Sequence, residues 1–410
     1  MRLPRSLRRL IDPHTAVITG VKSALRAGDG DQMAHLLRSH RRRLGLSDGQ
    51  TETLSAALVG RLDDSVSHDE ASERLDQLGQ SVPASALTAT TWLTLENLAR
   101  TVGCFVASYR FSQRARERMH SSGTPRMQFL AALHSHDQET SARLWNTYGR
   151  STSGFWAEAG HYLWLWSRGG AGAFLPSPDM SFVSAVSNRP VTVLGPAPTD
   201  LTPESLTGSA LVARVIMQRV LSWDEQSDPL DGACRLAYAS RETRNWIRDT
   251  DSWAELDRFD VVSFRLDANA DAFPASAAVL RHAHDPRALM PGGSSPNMIP
   301  LMLWDLSRVP GVQLTLGGTT FFASATAYTE GNRRLKHTTG RDTDATGSTG
   351  ELFERCPTFA RHNVTENLTL VANLITSGAI SADTPTSQVA SMSIPDYLAT
   401  LDELYGKQRA

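Results

Sequence analysis

The chain has 410 residues and a formal net charge of −2, with 41 Lys and Arg against 43 Asp and Glu, so it carries no general electrostatic attraction to nucleic acid or anionic lipid. A hydrophobic share of 40% beside 20% charged residues belongs to a folded globular protein rather than a disordered one. The length exceeds one ordinary core and predicts two or three domains, and no apolar run approaches the roughly 18 residues of a membrane span.

Residues 1–11 carry Arg2, Arg5, Arg8 and Arg9 without the apolar stretch of a signal peptide. They read either as a solvated basic terminus or as a short basic helix in peripheral contact with a membrane surface. Cys104, Cys234 and Cys356 are few and far apart, which gives no disulfide framework or zinc site and suits a reducing, cytoplasmic compartment.

From residue 14 to about 170 apolar residues recur at helical spacing: Leu54, Ala57, Leu58 and Leu62, then Leu95, Leu98 and Val102. Gly28-Asp29-Gly30, Ser47-Asp48-Gly49 and Ser121-Ser122-Gly123-Thr124-Pro125 punctuate the helices. The pairs 32–43 with 49–62, and 86–100 with 104–119, predict an antiparallel helical array, repeat-like but without a fixed period. Arg38, Arg41, Arg42 and Arg43 suit a solvated helix end or an anion site. The aromatic cluster of Trp156, Tyr162, Trp164 and Trp166 suits core packing, a domain seam or a sugar-stacking platform.

Near residue 182 the pattern changes to short apolar runs alternating with helices, which predicts an α/β layer fold. The boundary divides the chain into a helical domain, 1–181, and a second domain, 182–410. Strands are expected at 190–194, 211–217, 235–239, 261–264 and 312–316. Helices are expected at 241–248, 297–308, 362–377 and 394–405. The Thr, Gly, Asp and Ser tract 336–350 reads as a long loop, either a lid over a site or plain disorder.

Three segments offer chemistry. The first strand stops at Gly195-Pro196-Ala197-Pro198, a turn whose amides at the end of a parallel strand can face a ligand, a phosphate above all. Pro291-Gly292-Gly293-Ser294-Ser295-Pro296-Asn297 opens an apolar helix; it reads equally as a nucleotide-phosphate cradle and as a capped structural helix. In Arg361-His362-Asn363-Val364-Thr365-Glu366, His362 and Glu366 stand four apart. On a helix they share a face, where a carboxylate can orient an imidazole as a general base or form a plain surface pair. His282, His284 and Asp285 invite a metal reading, but no further ligand has convincing spacing. A Walker lysine, a Gly-x-Ser-x-Gly elbow and a His-Glu-x-x-His motif are absent from the sequence. An Asp-x-Asp pair after a strand is absent too, so a sugar transferase here is expected to hold no metal.

Taken together, these motifs in this order resemble the sialyltransferase-like glycosyltransferases, in particular the bacterial relatives of polysaccharide gene clusters, over residues 186 to 406. The resemblance implies a Rossmann-like glycosyltransferase domain preceded by an all-α domain. It implies that Gly195, Pro196 and Ala197, Arg214 on the second strand, and Gly293, Ser294, Ser295 and Asn297 hold the nucleotide of a CMP-sugar. His362 would be the base on the acceptor hydroxyl and Glu366 its partner. The implied activity is an inverting transfer of a sugar from a nucleotide donor to a cell-surface glycan or glycolipid acceptor, without metal or other cofactor. This chain departs from the family where Arg214 is followed by Val215-Ile216-Met217 instead of an asparagine. That departure favours a second reading, a non-catalytic scaffold with a decayed nucleotide-binding domain.

Overall fold

A computed structural model describes residues 13–149, 154–167, 179–202, 211–216, 234–265, 273–291, 294–324 and 362–406. The basic start of the chain, Gly293, Cys356 and the tract 336–350 lie outside the described residues. The chain forms two compact units. One comprises Met1–Asp137, Cys356–Thr365 and Ser393–Ala410, and the other Gln138–Arg355 and Glu366–Met392. A single division at 181/182 therefore gives way to an interleaved one. Residues 138–166 join the sheet-containing unit, and two late segments join the helical one.

The helical unit begins with α1 (Pro13–Ala27), α2 (Gly30–Leu44), α3 (Asp48–Leu62) and α4 (His68–Ser81), and continues with α5 (Ala89–Thr101), α6 (Phe105–Ser122) and α7 (Pro125–Leu133). Most neighbours in sequence pack on one another, and α4 also packs on α6. The expected turn residues Asp29 and Ser47 cap helix starts. Asp29 accepts from the Gln32 amide, Ser47 and Gln50 form a reciprocal capping box, and Gly45 ends α2 at φ 72°. The arginine run occupies the last turn of α2, where cations meet the negative helix end, and Arg41 is paired with Asp48. Val17, Met33, Leu37, Leu58, Leu95 and Phe111 lie in one continuous core. Helix α15 (Ile394–Leu401) and a π-turn, Asp402–Gly406, return to this unit.

The second unit contains α8 (Gln138–Tyr148), α9 (Phe155–Trp166), α10 (Met180–Val186), α11 (Arg241–Asp249), α12 (Met298–Leu306), most of α13 (Val364–Thr376) and α14 (Thr384–Ala390). Its strands are β1 (Pro190–Leu194), β2 (Leu211–Ile216), β3 (Cys234–Ala239), β4 (Val261–Arg265), β5 (Val279–Ala283), β6 (Gln313–Gly317) and β7 (Ser381–Ala382). They form one seven-stranded sheet in the order β5-β4-β3-β2-β1-β6-β7, with every described pairing parallel. Four of the five residues of β1 are buried, as a parallel strand covered on both faces requires. The chain runs outward from β1 to β5, recrosses the sheet through α12, which packs on both β5 and β1, and resumes on the other side of β1. Strand order thus reverses between β1 and β6, and in sheets of this class ligands bind outside the carboxyl ends at such a reversal.

Candidate functional site

At the β1–β6 reversal the two strand ends close on each other. Leu194 lies opposite Gly317 in register, and the pairing continues past both strands. The Gly195 amide donates to the Gly317 carbonyl and the Ala197 amide to the Gly318 carbonyl, each at 2.8 Å, while Pro196 has no N–H. Of the expected phosphate-facing residues Gly195, Pro196 and Ala197, the first and last therefore give their amides to the neighbouring strand end and Pro196 has none to give. A side chain at 195 would meet the Gly318 carbonyl oxygen at 2.3 Å, so glycine is there for close backbone approach, not for a ligand. Asp383 fastens the junction. One carboxylate oxygen accepts from the Gly318 amide at 2.8 Å and the Thr199 hydroxyl at 2.6 Å, and the other caps α14 at the Thr386 amide. Arg214 lies opposite Leu194, but its side chain is buried. It sits beside Cys234, whose thiol burial pushes up to about 12 with Arg214 opposing the rise.

The loop before α12 gathers four of the expected residues. Ser294 donates its hydroxyl proton to Glu366 at 2.7 Å. Arg265, the last residue of β4, donates to the Ser295 hydroxyl oxygen at 3.1 Å and to the Pro296 carbonyl at 2.5 Å. Asn297 caps α12 by accepting from the Ile299 amide at 3.0 Å, and its own amide donates to the Asn367 side chain at 2.7 Å. Strand end β4 and the first turn of α13 thus grip residues 294–297 from two elements, and the cradle and capped-helix readings of this loop meet in one structure.

The expected His362–Glu366 pair does not share a helix face. Helix α13 starts at Val364, so His362 precedes it and the four-residue spacing has no helical meaning. Glu366 is buried and its carboxylate holds Ser294. Burial explains the neighbouring asparagines too. Asn363 donates to Glu96 at 3.2 Å within the helical unit, and both Asn363 and Asn367 are shielded from solvent.

A separate buried network lies at the end of β5. Asp305 is fully buried and takes both arms of Arg281, at 2.5 and 3.0 Å, with the Tyr238 hydroxyl at 2.9 Å and the His284 amide at 2.8 Å. Burial, then the Asp305 charge, pushes the Tyr238 phenol well above its ordinary pKa, so it donates. His282 and His284, which with Asp285 invited a metal reading, face different partners. The His282 ring lies 4.8 Å from Phe273, whereas His284 approaches Glu158 at 3.6 Å. Among the described residues no group of three His, Cys, Asp or Glu side chains could hold a metal ion. Of the aromatic cluster, Tyr162 is buried and donates to the Leu370 carbonyl at 2.9 Å, and its ring and that of His161 pack on Trp304. This is core packing within the unit.

No family model matches the chain, and neither a curated protein nor a solved structure matches it. Among the described residues no helix is long and apolar enough to cross a membrane. Three residues of the carboxyl edge escape the sequence reading: Arg265, Asn367 and Asp383. Arg265 carries a usable signal, a lone cation closing the apolar run Val261–Phe264. Asp383 is readable as the cap before Thr384-Pro385, but not as the clip between two loops.

Proposed function

We propose that the sheet-containing unit is a Rossmann-like nucleotide-binding domain of an inverting glycosyltransferase. It would take a sugar from a nucleotide donor, CMP-linked on the resemblance, and deliver it to a cell-surface glycan or glycolipid on the cytoplasmic side of the membrane. The observation that carries this reading is the serine-bearing loop 294–297, held at the carboxyl edge of a parallel sheet with reversed strand order by Arg265, Glu366 and Asn367. A loop fixed on rigid elements before the reaction suits the pre-organised binding of a departing phosphate. No Asp-x-Asp pair directly follows one of the expected strands in the sequence, so the transfer is read as metal-independent.

The base on the acceptor hydroxyl is His362, assigned on the resemblance alone. Glu366 is reassigned from orienting that ring to positioning Ser294. Calorimetric titration with CMP, UDP and GDP tests the reading: one nucleotide binds, and silence with all three removes it. His362→Ala should lower sugar transfer by about 10²–10⁴-fold, the usual share of a general base, with nucleotide affinity unchanged. Wild-type turnover in that variant takes His362 out of the mechanism.

The scaffold reading is favoured by one observation, the engagement of the Gly195 and Ala197 amides with strand β6. It predicts silence in the same titration.

A further inference from the structure

His68 and His284 each approach a carboxylate, and their settings differ. The His68 side chain is 5% exposed, and its partner Asp402 already caps α6. His284 comes within 3.6 Å of Glu158 through Nε2, and 32% of its side chain stays exposed. Nε2 itself is buried, as is Glu158 Oε2, and neither makes a hydrogen bond. Nδ1 is not shut in with them, so it is the ring nitrogen that a ligand can reach. A carboxylate behind an imidazole, with open space before it, is the order of parts that general-base chemistry needs.

The backbone around this pair is fixed. The His284 amide donates to the fully buried Asp305 at 2.8 Å, and Asp305 holds both arms of Arg281. Glu158 stands in the first turn of α9, where a carboxylate suits the helix end. Helix α9 packs on the single turn Pro286–Leu289 that follows His284. His284 itself comes directly after β5, at the carboxyl edge of the sheet. Its neighbour Ala283 lies opposite Arg265, one strand spacing, roughly 5 Å, from the residue that holds loop 294–297.

We propose that His284 and Glu158 form a proton-transfer site that takes the proton of a ligand hydroxyl group. His284 Nδ1 accepts that proton, while Nε2–H faces Glu158, which positions the ring and fixes its tautomer. The 3.6 Å contact lies just beyond hydrogen-bond range, and such contacts often run long until a ligand closes them. The site rests on the proposed sugar transfer only for its electrophile. There the hydroxyl oxygen, losing its proton to Nδ1, bonds to the anomeric carbon of the donor. The bond from that carbon to the phosphate oxygen breaks, and its electron pair leaves with the nucleotide. The imidazolium then returns its proton to water. His362 holds this role on the resemblance and His284 on its contacts, and the two are separable by experiment.

The test uses the full chain. Diethyl pyrocarbonate acylates unprotonated imidazole, and peptide mass spectrometry locates the label. At about pH 8, above the ordinary histidine range, His284 should be labelled while the fully buried His161 is not. Glu158→Gln keeps the shape but not the charge, and should slow the labelling of His284 about tenfold or more. A wild-type His284 that resists the reagent overturns the site whether or not the variant folds. A labelling rate unchanged in Glu158→Gln overturns it too. In sugar transfer, His284→Gln should lower the rate by about 10²–10⁴-fold, with nucleotide affinity unchanged. Transfer by His284→Gln at the wild-type rate overturns its role as the base and leaves that role to His362. Glu158-dependent labelling without transfer from any nucleotide sugar keeps the site and removes the transferase reading.

Discussion

His161 is fully buried between the ring of Trp164, stacked at 5.8 Å, and the edge of Trp304 at 5.0 Å. Its Nε2 lies 3.1 Å from the Ser307 hydroxyl. Burial pushes its pKa down to about 3, with Arg308 and His284 acting in the same sense. An unfolded histidine titrates near 6.5, so over the interval from about 6.5 to about 3 the unfolded chain binds a proton that the folded chain refuses. Stability from this residue is complete above the unfolded pKa and falls as the pH drops through that interval, by about 2 kcal/mol between pH 7 and pH 5. Burial lowers the half-exposed His282 too, which adds to the same trend. His161→Gln should flatten the dependence, read as the urea midpoint against pH. A slope between pH 5 and 7 equal to that of the wild type would show that His161 protonates inside the fold.

Among the elements, the β1 and β6 ends make the sharpest case for backbone packing. Gly195→Ala places a methyl group 2.3 Å from the Gly318 carbonyl, and Gly318 itself sits at φ 62°, so neither loop yields without breaking the shared hydrogen bonds. A cost of about 1–3 kcal/mol is expected from such overpacking, measured by urea denaturation. Gly49→Ala, which meets nothing within 4 Å, should be neutral or stabilising by up to about 1 kcal/mol. The same elements show what a sequence can reveal. Strand β1 is legible to the residue because a mostly apolar run ends at a Gly-Pro stop. Strand β5 is not, because Arg281 and His282 interrupt its pattern, and only Asp305 and Phe273 explain why those polar residues lie in a strand. The cap at Asn297 is local and readable from its neighbours. The partner of its amide, Asn367, lies 70 residues further on, beyond any local rule. His362 misleads for a related reason: four-residue spacing carries meaning only inside a helix, and α13 starts two residues later.

Over the whole molecule, the chain weaves between its two units, and the return of its last helix ties the start of the chain to its end. Asp402 accepts from the Phe105 amide at 2.8 Å and the Val106 amide at 3.4 Å, so a residue near the carboxyl terminus caps α6. His68 approaches the same carboxylate at 3.7 Å. Cys104, which precedes α6, provides no side-chain cap, and a helix left with unsatisfied first-turn amides in a buried setting needs a substitute. That substitute arrives from 297 residues away, which makes the helical unit dependent on a segment that sequence order assigns to the other domain. Asp402→Ala should therefore cost about 0.5–2 kcal/mol, the usual worth of such a cap. Hydrogen exchange should report the loss as faster exchange at Phe105 and Val106, with the β1–β6 amides unchanged. Equal acceleration in the sheet would mean that the units unfold as one cooperative body. Unchanged protection at Phe105 would mean that Asp402 does not carry the cap.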